Sequence, residues 1–120
     1  MSDLATRRCE PCAAGTPALA GEELERLLAQ LDGWSLAGGT AGRRLAKEYR
    51  FPDFRRALAF VNRVGEVAEE EGHHPDIELG WGRVKLTVWT HSIGGLSEND
   101  FILAAKADRA LVAPPAPPGS

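Results

Sequence analysis

The amino-acid sequence predicts an α+β domain: a four-stranded antiparallel sheet with three helices packed on one face, in the order α-β-β-α-β-β-α. Three segments repeat apolar residues at the three- and four-residue spacing of an amphipathic helix. Between them lie two pairs of short segments in which apolar and polar residues alternate, the pattern of half-buried strands. Because a glycine-containing turn joins each pair, each pair is expected to form a hairpin.

The first and third helices are marked by their ends as well as by their sequence patterns. The first is predicted over 22–31, and Gly33 is expected to end it as a C-terminal cap residue. The segment Ser97-Glu98-Asn99-Asp100 opens the third helix with a pattern like a capping box, with Asp in the Glu position. This helix is predicted to run to about Val112. The apolar stripe of the first helix consists of Leu24, Leu27, Leu28 and Leu31.

The second helix lies in the middle of the chain. Asp53, directly after Pro52, is the expected N-cap, and the helix is predicted to continue to Glu71. Gly72 stops the helix, and Pro75 prevents it from resuming. Its buried face is predicted to consist of Phe54, Ala57, Leu58, Val61, Val64 and Ala68.

The four strands are predicted from alternation and turn residues. The first hairpin consists of strands over 34–36 and 43–51, with a turn at Gly38-Gly39. Apolar residues of its second strand share one parity, and Lys47 is the exception. The second hairpin turns at Gly82. Its alternating residues are Ile77, Leu79 and Trp81 before the turn and Val84, Leu86, Val88 and Thr90 after it.

Composition and length indicate one soluble domain. The chain has 120 residues, of which 43% are hydrophobic and 26% charged. We predict a domain over 19–112, a flexible tail over 1–18 and a Pro-rich disordered tail over 113–120. The net charge of −3 does not favour nucleic acid, which normally binds a basic face. No apolar run approaches the ~20 residues that span a bilayer, and the N-terminus lacks the apolar region of a secretory signal, so a cytoplasmic protein is expected.

Two cysteines near the N-terminus, Cys9 and Cys12, have C-x-x-C spacing. Redox motifs of this spacing usually lie beside a βαβ unit, and zinc sites usually need a second pair of ligands. The nearest histidine is 61 residues further on. The favoured interpretation is a reduced, solvated tail, and the alternative is a redox or metal-binding appendage completed by another subunit.

The only three histidines, His73, His74 and His91, flank the second predicted hairpin. Residues 73 and 91 are eight or nine positions from the turn at 81–83, so they should lie at the same end of the ladder. Clustered imidazoles can deliver one proton and remove another near neutral pH, which predicts a proton-transfer site. A helix-ending His-His-Pro turn with a surface histidine nearby is the simpler alternative. Zinc binding competes as well, but adjacent histidines in a turn point in different directions.

Two carboxylates and two tryptophans belong near this cluster. Glu69 lies one helical turn before the paired histidines, and Asp100 lies at the third position of the third helix, where capping alone would explain it. Asp100 could also orient His91 through a hydrogen bond. Trp81 alternates with Ile77 and Leu79 on the predicted strand, so its side chain is expected to face the core. Trp89 has the opposite parity, and could stack on a flat ligand or cover a subunit interface.

The spaced pattern Glu69-x3-His73-His74-Pro75, followed by Trp81, His91 and Asp100, resembles the signature of the pterin-4a-carbinolamine dehydratase family. The segment from Thr90 to Asp100 is similar to that family's T-H-x3-G-L-[ST]-x2-D. Two further fragments, Leu31-Asp32-Gly33-Trp34 and Phe51-Pro52-Asp53-Phe54, are similar to its L-x-G-W and F-x-D-F motifs. The resemblance covers about 19–112.

The resemblance implies an enzyme that removes water from 4a-hydroxytetrahydropterin, the product left by aromatic amino acid hydroxylases, to give quinonoid dihydropterin. It implies no metal or organic cofactor, and it implies a homodimer or homotetramer. The catalytic residues would be His73 and His91 as general acid and base, with His74 positioning the pterin. The residues that would bind substrate or support the site are Glu69, Pro75, Trp81 and Asp100.

A non-catalytic binding or assembly protein on the same fold is the leading alternative. Dehydratase-like proteins exist that act as chaperones for a carboxylating enzyme, but they look degenerate at the histidine cluster, which this chain retains in full. A dimerisation partner of a transcription factor is a third class, for which this acidic chain has no specific signal.

Overall fold

The computed structural model describes residues 4–9, 17–38 and 42–111 of the chain. Within them the helices and strands follow the predicted order, and short 3-10 helices lie at Leu4–Thr6 and His91–Ile93. The other elements are α1 (Gly21–Leu28), β1 (Ser35–Ala37), β2 (Arg44–Arg50), α2 (Phe54–Glu71), β3 (Asp76–Gly80), β4 (Arg83–Val88) and α3 (Glu98–Leu111).

The four strands form one antiparallel sheet in the order β1-β2-β4-β3. Alternate residues of β4 are buried beneath the helices, whereas Lys85 and Thr87 face the open side of the sheet. Helices α2 and α3 contact the sheet and each other, and α1 contacts α3. The core therefore lies between the sheet and a single helical layer, which confirms the predicted α+β class. The buried residues of β4 are Val84, Leu86 and Val88.

Helix α2 begins and ends as predicted, but its buried face is rotated. Oδ1 of Asp53 accepts a hydrogen bond from the Arg56 amide at 2.8 Å, and Gly72 ends the helix in the left-handed conformation with φ 66°. The predicted burial of Phe54 and Leu58 is wrong, since they are 43% and 40% exposed. They lie roughly 90° around the helix from the stripe that packs on the core. That stripe consists of Ala57, Phe60, Val64 and Ala68.

Helix α1 is shorter than predicted. It ends at Leu28, and Ala29 rather than Gly33 is its C-terminal cap residue. The chain continues through Leu31 in a tighter turn, in which the Leu31 amide donates to the Leu28 carbonyl at 3.0 Å. Gly33 has a different role: with φ 79° it lies against the Lys47 side chain, and an added Cβ would approach Lys47 Cε to 3.1 Å.

A partly buried carboxylate explains why Lys47 interrupts the apolar pattern of β2. Asp108, near the end of α3, accepts hydrogen bonds from Lys47 Nζ at 2.9 Å, Tyr49 Oη at 2.6 Å and Trp34 Nε1 at 3.0 Å. Burial, aided by the Asp108 contact, raises the pKa of the Tyr49 hydroxyl far above its usual value. The pair of Lys47 and Asp108 thus ties α3 to β2 from the core side of the sheet.

The N-terminal residues 4–9 pack on the domain, which differs from the predicted solvated tail. Leu4 is fully buried, and its 3-10 helix contacts α3. Arg7 forms an ion pair with Glu98 at 2.9 Å, and the Cys9 amide donates to Oε1 of Glu71 at 2.7 Å. This segment therefore bridges the end of α2 and the start of α3.

Cys9 lies in a protected environment. Its thiol donates to the Asn99 carbonyl at 3.6 Å, and burial, together with the negative charge of Glu71, raises the pKa of the Cys9 thiol to about 12. A thiol that stays protonated at neutral pH is a poor nucleophile and a poor metal ligand. Its surroundings therefore disfavour the redox and metal interpretations for Cys9. Cys12 lies outside the described residues.

Three sequence-based expectations fall on residues outside those that the structure describes. The Pro-rich tail over 113–120, the end of the third helix at Val112 and part of the first hairpin turn, Gly39, lie outside the described residues. In the part of the chain that is described, no helix is both long and apolar enough to cross a membrane.

Glu71 should make protein stability depend on acid pH. Burial raises the pKa of this carboxyl, but the Cys9 amide and the positive charge of Lys106, 3.4 Å away, outweigh burial and hold the pKa below 4.5. The resulting stabilisation is complete above the unfolded pKa, near 4.5, and is lost as the pH falls through the lower folded value. We expect Glu71→Gln to lower the free energy of urea unfolding by about 1 kcal/mol at neutral pH.

The difference in free energy of unfolding between wild type and Glu71→Gln should shrink as the pH falls below 4.5, because wild-type Glu71 then becomes neutral too. The control is Glu70→Gln, which removes an exposed charge from the neighbouring position. An equal deficit at acid and neutral pH would contradict an ionic role for Glu71.

Candidate active site

The β3–β4 hairpin brings the histidine-bearing segments to one end of the sheet. Its ladder runs from Gly80 paired with Arg83, beside the turn, to Asp76 paired with Thr87 at the far end. His73 and His74 precede β3, and His91 follows β4, so all three flank that far end. This is the arrangement that the spacing predicts.

The end of α2 sets the position of the paired histidines. Gly72 leaves the helix in the left-handed conformation, and the His73 amide still donates to the Ala68 carbonyl at 3.2 Å. Residues 73–75 then form no helix or strand before β3 begins at Asp76. Pro75, half-buried in this connection, fits the predicted helix stop, since proline cannot continue a helix.

Asp100 is the central acceptor of the site. Its side chain is 0% exposed, and Oδ1 lies 2.6 Å from Nε2 of His73. Oδ2 accepts from the Ser97 amide at 2.8 Å and from the Thr90 hydroxyl at 2.9 Å. Because carboxylate oxygens accept, Nε2 of His73 donates and Nδ1 is its remaining nitrogen. The Ser97 bond confirms the predicted capping role of Asp100.

The partner of Asp100 differs from the predicted one. The sequence suggested His91, but the hydrogen bond goes to His73, and Asp100 reaches the His91 segment only through Thr90. Thr90 is buried, its hydroxyl pairs with Ser97 Oγ at 2.7 Å, and its amide donates to the Gly95 carbonyl at 2.9 Å. One carboxylate thus couples His73 to the loop that carries His91.

Glu69 pairs with His74. Its Oε2 lies 2.5 Å from Nε2 of His74, and both side chains are exposed, Glu69 at 78% and His74 at 59%. An exposed pair of this kind contributes at most about 1 kcal/mol to stability. His74 is therefore held less firmly than His73 and is more accessible from solvent.

His91 has a different kind of support. Its imidazole lies on Trp89, with ring centroids 4.3 Å apart and planes inclined by 31°. The Arg44 guanidinium lies over the same indole, 4.2 Å from its centroid. Sequence reasoning missed Arg44 because its proximity to Trp89 arises only from the pairing of β2 with β4. Thr90 was predicted as an alternating strand residue and as part of the family-like segment, but not as a partner of Asp100.

The predicted place of Trp81 in the core is wrong. Strand β3 ends at Gly80, and Trp81 lies in the hairpin turn with 71% of its surface exposed. The turn is at the opposite end of the ladder from the histidines. Within one chain, Trp81 therefore does not belong to the histidine cluster.

A shallow groove of about 530 Å³ runs over the open face of the sheet. It reaches the last rung of the hairpin, Asp76 and Thr87, next to the histidine-bearing segments. Its walls carry both signs of charge, Arg44 and Lys85 against Asp76 and Glu78. Among the described residues, no group of three histidine, cysteine or carboxylate side chains is placed to hold a metal ion.

Solved structures share this fold. A transcriptional coactivator/pterin dehydratase from Brucella melitensis superposes with a TM-score of 0.73 at 31% identity, over 78% of this chain and 98% of its own. A pterin dehydratase-like protein, identified as a RuBisCO assembly factor in the alpha-carboxysome, gives 0.59 at 25% identity, over 69% and 94%. The fold is therefore that of the pterin dehydratases.

Sequence comparison defines the family. A model of the family described as Pterin 4 alpha carbinolamine dehydratase matches residues 17–110. A protein of that name from Rubrobacter xylanophilus is 57% identical over 109 residues, which cover 91% of this chain and 99% of the relative. Another from Azoarcus sp. is 50% identical over 109 residues, covering 91% and 92%. The chain belongs to the pterin-4-alpha-carbinolamine dehydratase family, and it is a dehydratase enzyme.

Removing the Asp100 carboxylate should destabilise the fold. Asp100→Ala leaves the Ser97 amide, the Thr90 hydroxyl and the His73 ring without their acceptor in a buried place, at a cost of roughly 1–3 kcal/mol for each unpaired group. We expect the free energy of urea unfolding to fall by about 3 kcal/mol or more.

Glu98→Ala is the control, because it also removes a carboxylate from the first turn of α3 but one that is exposed. Its loss should stay within about 1 kcal/mol. Equal losses in the two variants would contradict the central position of Asp100.

Proposed function

We propose that this enzyme dehydrates 4a-hydroxytetrahydropterin to quinonoid dihydropterin by acid–base catalysis at His73 and His91. The observation that carries the proposal is the shared carboxylate of Asp100, which binds His73 directly and the His91-bearing loop through Thr90. Family membership supports the pterin substrate. Histidine supplies both protonation states near neutral pH, which the reaction requires.

The reaction needs one proton delivered and one removed. The bond between C4a and the hydroxyl oxygen breaks, its electron pair leaves with the oxygen, and a protonated imidazole completes the water molecule. The N5 proton passes to a neutral imidazole, and the N5–H electron pair becomes the C4a=N5 double bond. Electrons balance without an oxidant or reductant, and no organic cofactor or metal is required. Which of His73 and His91 serves as acid is left open by this scheme.

His73 and His91 have different hydrogen-bonding constraints. His73 donates from Nε2 to Asp100, so it exchanges protons with substrate through Nδ1. Among the described side chains none forms a hydrogen bond with the ring nitrogens of His91, so either of them can exchange a proton with substrate.

His74 is proposed to position the pterin, with Glu69 as its hydrogen-bond partner. The exposure of the pair supports this role, because a ring at the solvent edge can contact an incoming substrate before His73, whose side chain is only 14% exposed. Pro75 supports the site by fixing the chain direction between His74 and β3. Trp81 lies in the hairpin turn at the opposite end of the ladder from the histidines. It can therefore contact substrate only if the assembly brings it to the site of another subunit.

The physiological role that we propose is recycling of the pterin cofactor of aromatic amino acid hydroxylases in the cytoplasm. The enzyme is proposed to act as a homodimer or homotetramer. Exposed apolar side chains support an assembled form: Phe54, Leu58 and Trp81 present large hydrophobic surfaces to solvent in the single chain.

The assembly should be visible by size-exclusion chromatography with light scattering. We expect a mass two or four times the 12.9 kDa of one chain, because burial of these apolar side chains stabilises association. Phe54→Ser should weaken the assembly if helix α2 contributes to it. A wild-type protein that elutes as a single 12.9 kDa species at micromolar concentration would contradict the proposed oligomer.

An assembly role is the second candidate, favoured by the structural similarity to the RuBisCO assembly factor at a TM-score of 0.59. The relatives that are 46–57% identical carry the dehydratase name instead. A pterin assay separates the two candidates: a dehydratase accelerates the loss of 4a-hydroxypterin absorbance, whereas an assembly factor neither accelerates it nor binds pterin.

Histidine substitutions test the catalytic assignment. His73→Ala and His91→Ala should each lower kcat for dehydration by roughly 10²–10⁴-fold, the usual contribution of general acid–base catalysis. His74→Ala should act mainly on KM, since its proposed role is to position substrate. Stopped-flow absorbance gives the rates, and thermal unfolding shows whether each variant is folded. Full activity in folded His73→Ala and His91→Ala proteins would refute the assignment.

A further inference from the structure

The three imidazoles of the candidate site are held in three different ways. His73 is hydrogen-bonded to the buried Asp100 and His74 to the exposed Glu69. Among the described side chains, none forms a hydrogen bond with the ring nitrogens of His91, and the contact that orients this ring is the face of Trp89 at 4.3 Å. The His91 backbone is fixed separately, because the flanking Thr90 pairs with Gly95.

The Trp89 ring is itself supported by the neighbouring strand. Arg44 begins β2, and its guanidinium lies 4.2 Å from the indole centroid. The next residue along, Leu45, is paired with Val88, the residue before Trp89, so strand pairing sets this proximity. An arginine over an indole is an attractive contact. The indole of Trp89 therefore contacts both the Arg44 guanidinium and the His91 imidazole, and these stacking contacts connect β2 to the site.

We propose that Trp89, supported by Arg44, is the positioning residue of His91. A ring that is held by its face keeps its orientation while both nitrogens stay available for proton transfer. A ring that is held by a carboxylate has one nitrogen committed, as His73 has. This arrangement lets His91 accept a proton from substrate at one nitrogen and release a proton from the other. The proposal rests on the proposed proton-transfer role of His91.

The first test compares Trp89→Leu, which removes the ring but keeps apolar bulk, with Trp89→Phe, which keeps a ring. If stacking sets the fraction of His91 in the productive orientation, Trp89→Leu should lower kcat roughly 2- to 12-fold with little change in KM. Trp89→Phe should recover most of the loss. A change in KM alone would overturn the proposal, because it would make Trp89 a platform for the pterin instead.

The second test repeats Trp89→Leu in the His91→Ala background. A residue that acts only through His91 should cause no further loss of kcat once that imidazole is gone. An equal loss in both backgrounds would overturn the proposal and assign Trp89 a general structural role. Arg44→Gln should cause a smaller loss in the same direction, and the matched control Arg50→Gln, on the same open face of β2, should cause none.

The third test does not depend on activity. Protons of an imidazole stacked on an indole are shielded by the ring current, so the His91 ring signals in a proton–carbon NMR spectrum should move downfield in Trp89→Leu and return partly in Trp89→Phe. Unchanged signals would overturn the proposal. Wild-type protein without dehydratase activity would refute the proposed function, while these signals would still decide whether Trp89 orients His91.

Discussion

The site depends on one buried carboxylate. Asp100 is fully buried, and a buried charge is costly unless polar partners replace the water that it loses. Its three donors come from two separate connections: His73 before β3, and Thr90 and Ser97 at the two ends of the loop between β4 and α3. Because a misplaced donor would leave that charge poorly solvated, these segments have one favourable relative arrangement. The same requirement that stabilises the fold therefore positions the imidazole of His73.

The location of Asp100 in α3 reduces the cost of burying its charge. It lies in the first turn of the helix, where backbone N–H groups lack helical partners and the helix dipole favours an anion. Near the C-terminal end of α3, a second carboxylate holds the helix to the sheet. Asp108 there accepts hydrogen bonds from Lys47 and Tyr49 of β2 and from Trp34, just before β1. Helix α3 is thus attached by polar contacts at both ends and by apolar contacts between them, which leaves little freedom for the site at its start.

Local patterns predicted the fold well, because its elements are marked by short-range chemistry. Asp53 caps α2, and Gly72 ends it, as the residue types suggest. The failures concern tertiary contacts. The capping pattern accounts for one oxygen of Asp100, but the choice of His73 over His91 for the other depends on how α3 meets the hairpin. The burial of Leu4 depends on contact with α3, which is distant in sequence, so a lone leucine in a polar segment gave no signal.

The imidazoles of His73, His74 and His91 differ in how firmly they are held, because the contact that holds each ring lies in a different environment. The carboxylate under His73 is buried and cannot be screened by solvent, whereas the one beside His74 is exposed and weak. His91 rests on an aromatic face, which restrains the tilt of the ring more than its rotation within the plane. A dehydration that moves one proton to oxygen and another from nitrogen needs two proton-transfer groups in fixed places. Carboxylate and aromatic supports hold the imidazoles of His73 and His91 in different ways, so that His73 has one ring nitrogen committed to a carboxylate and His91 has neither.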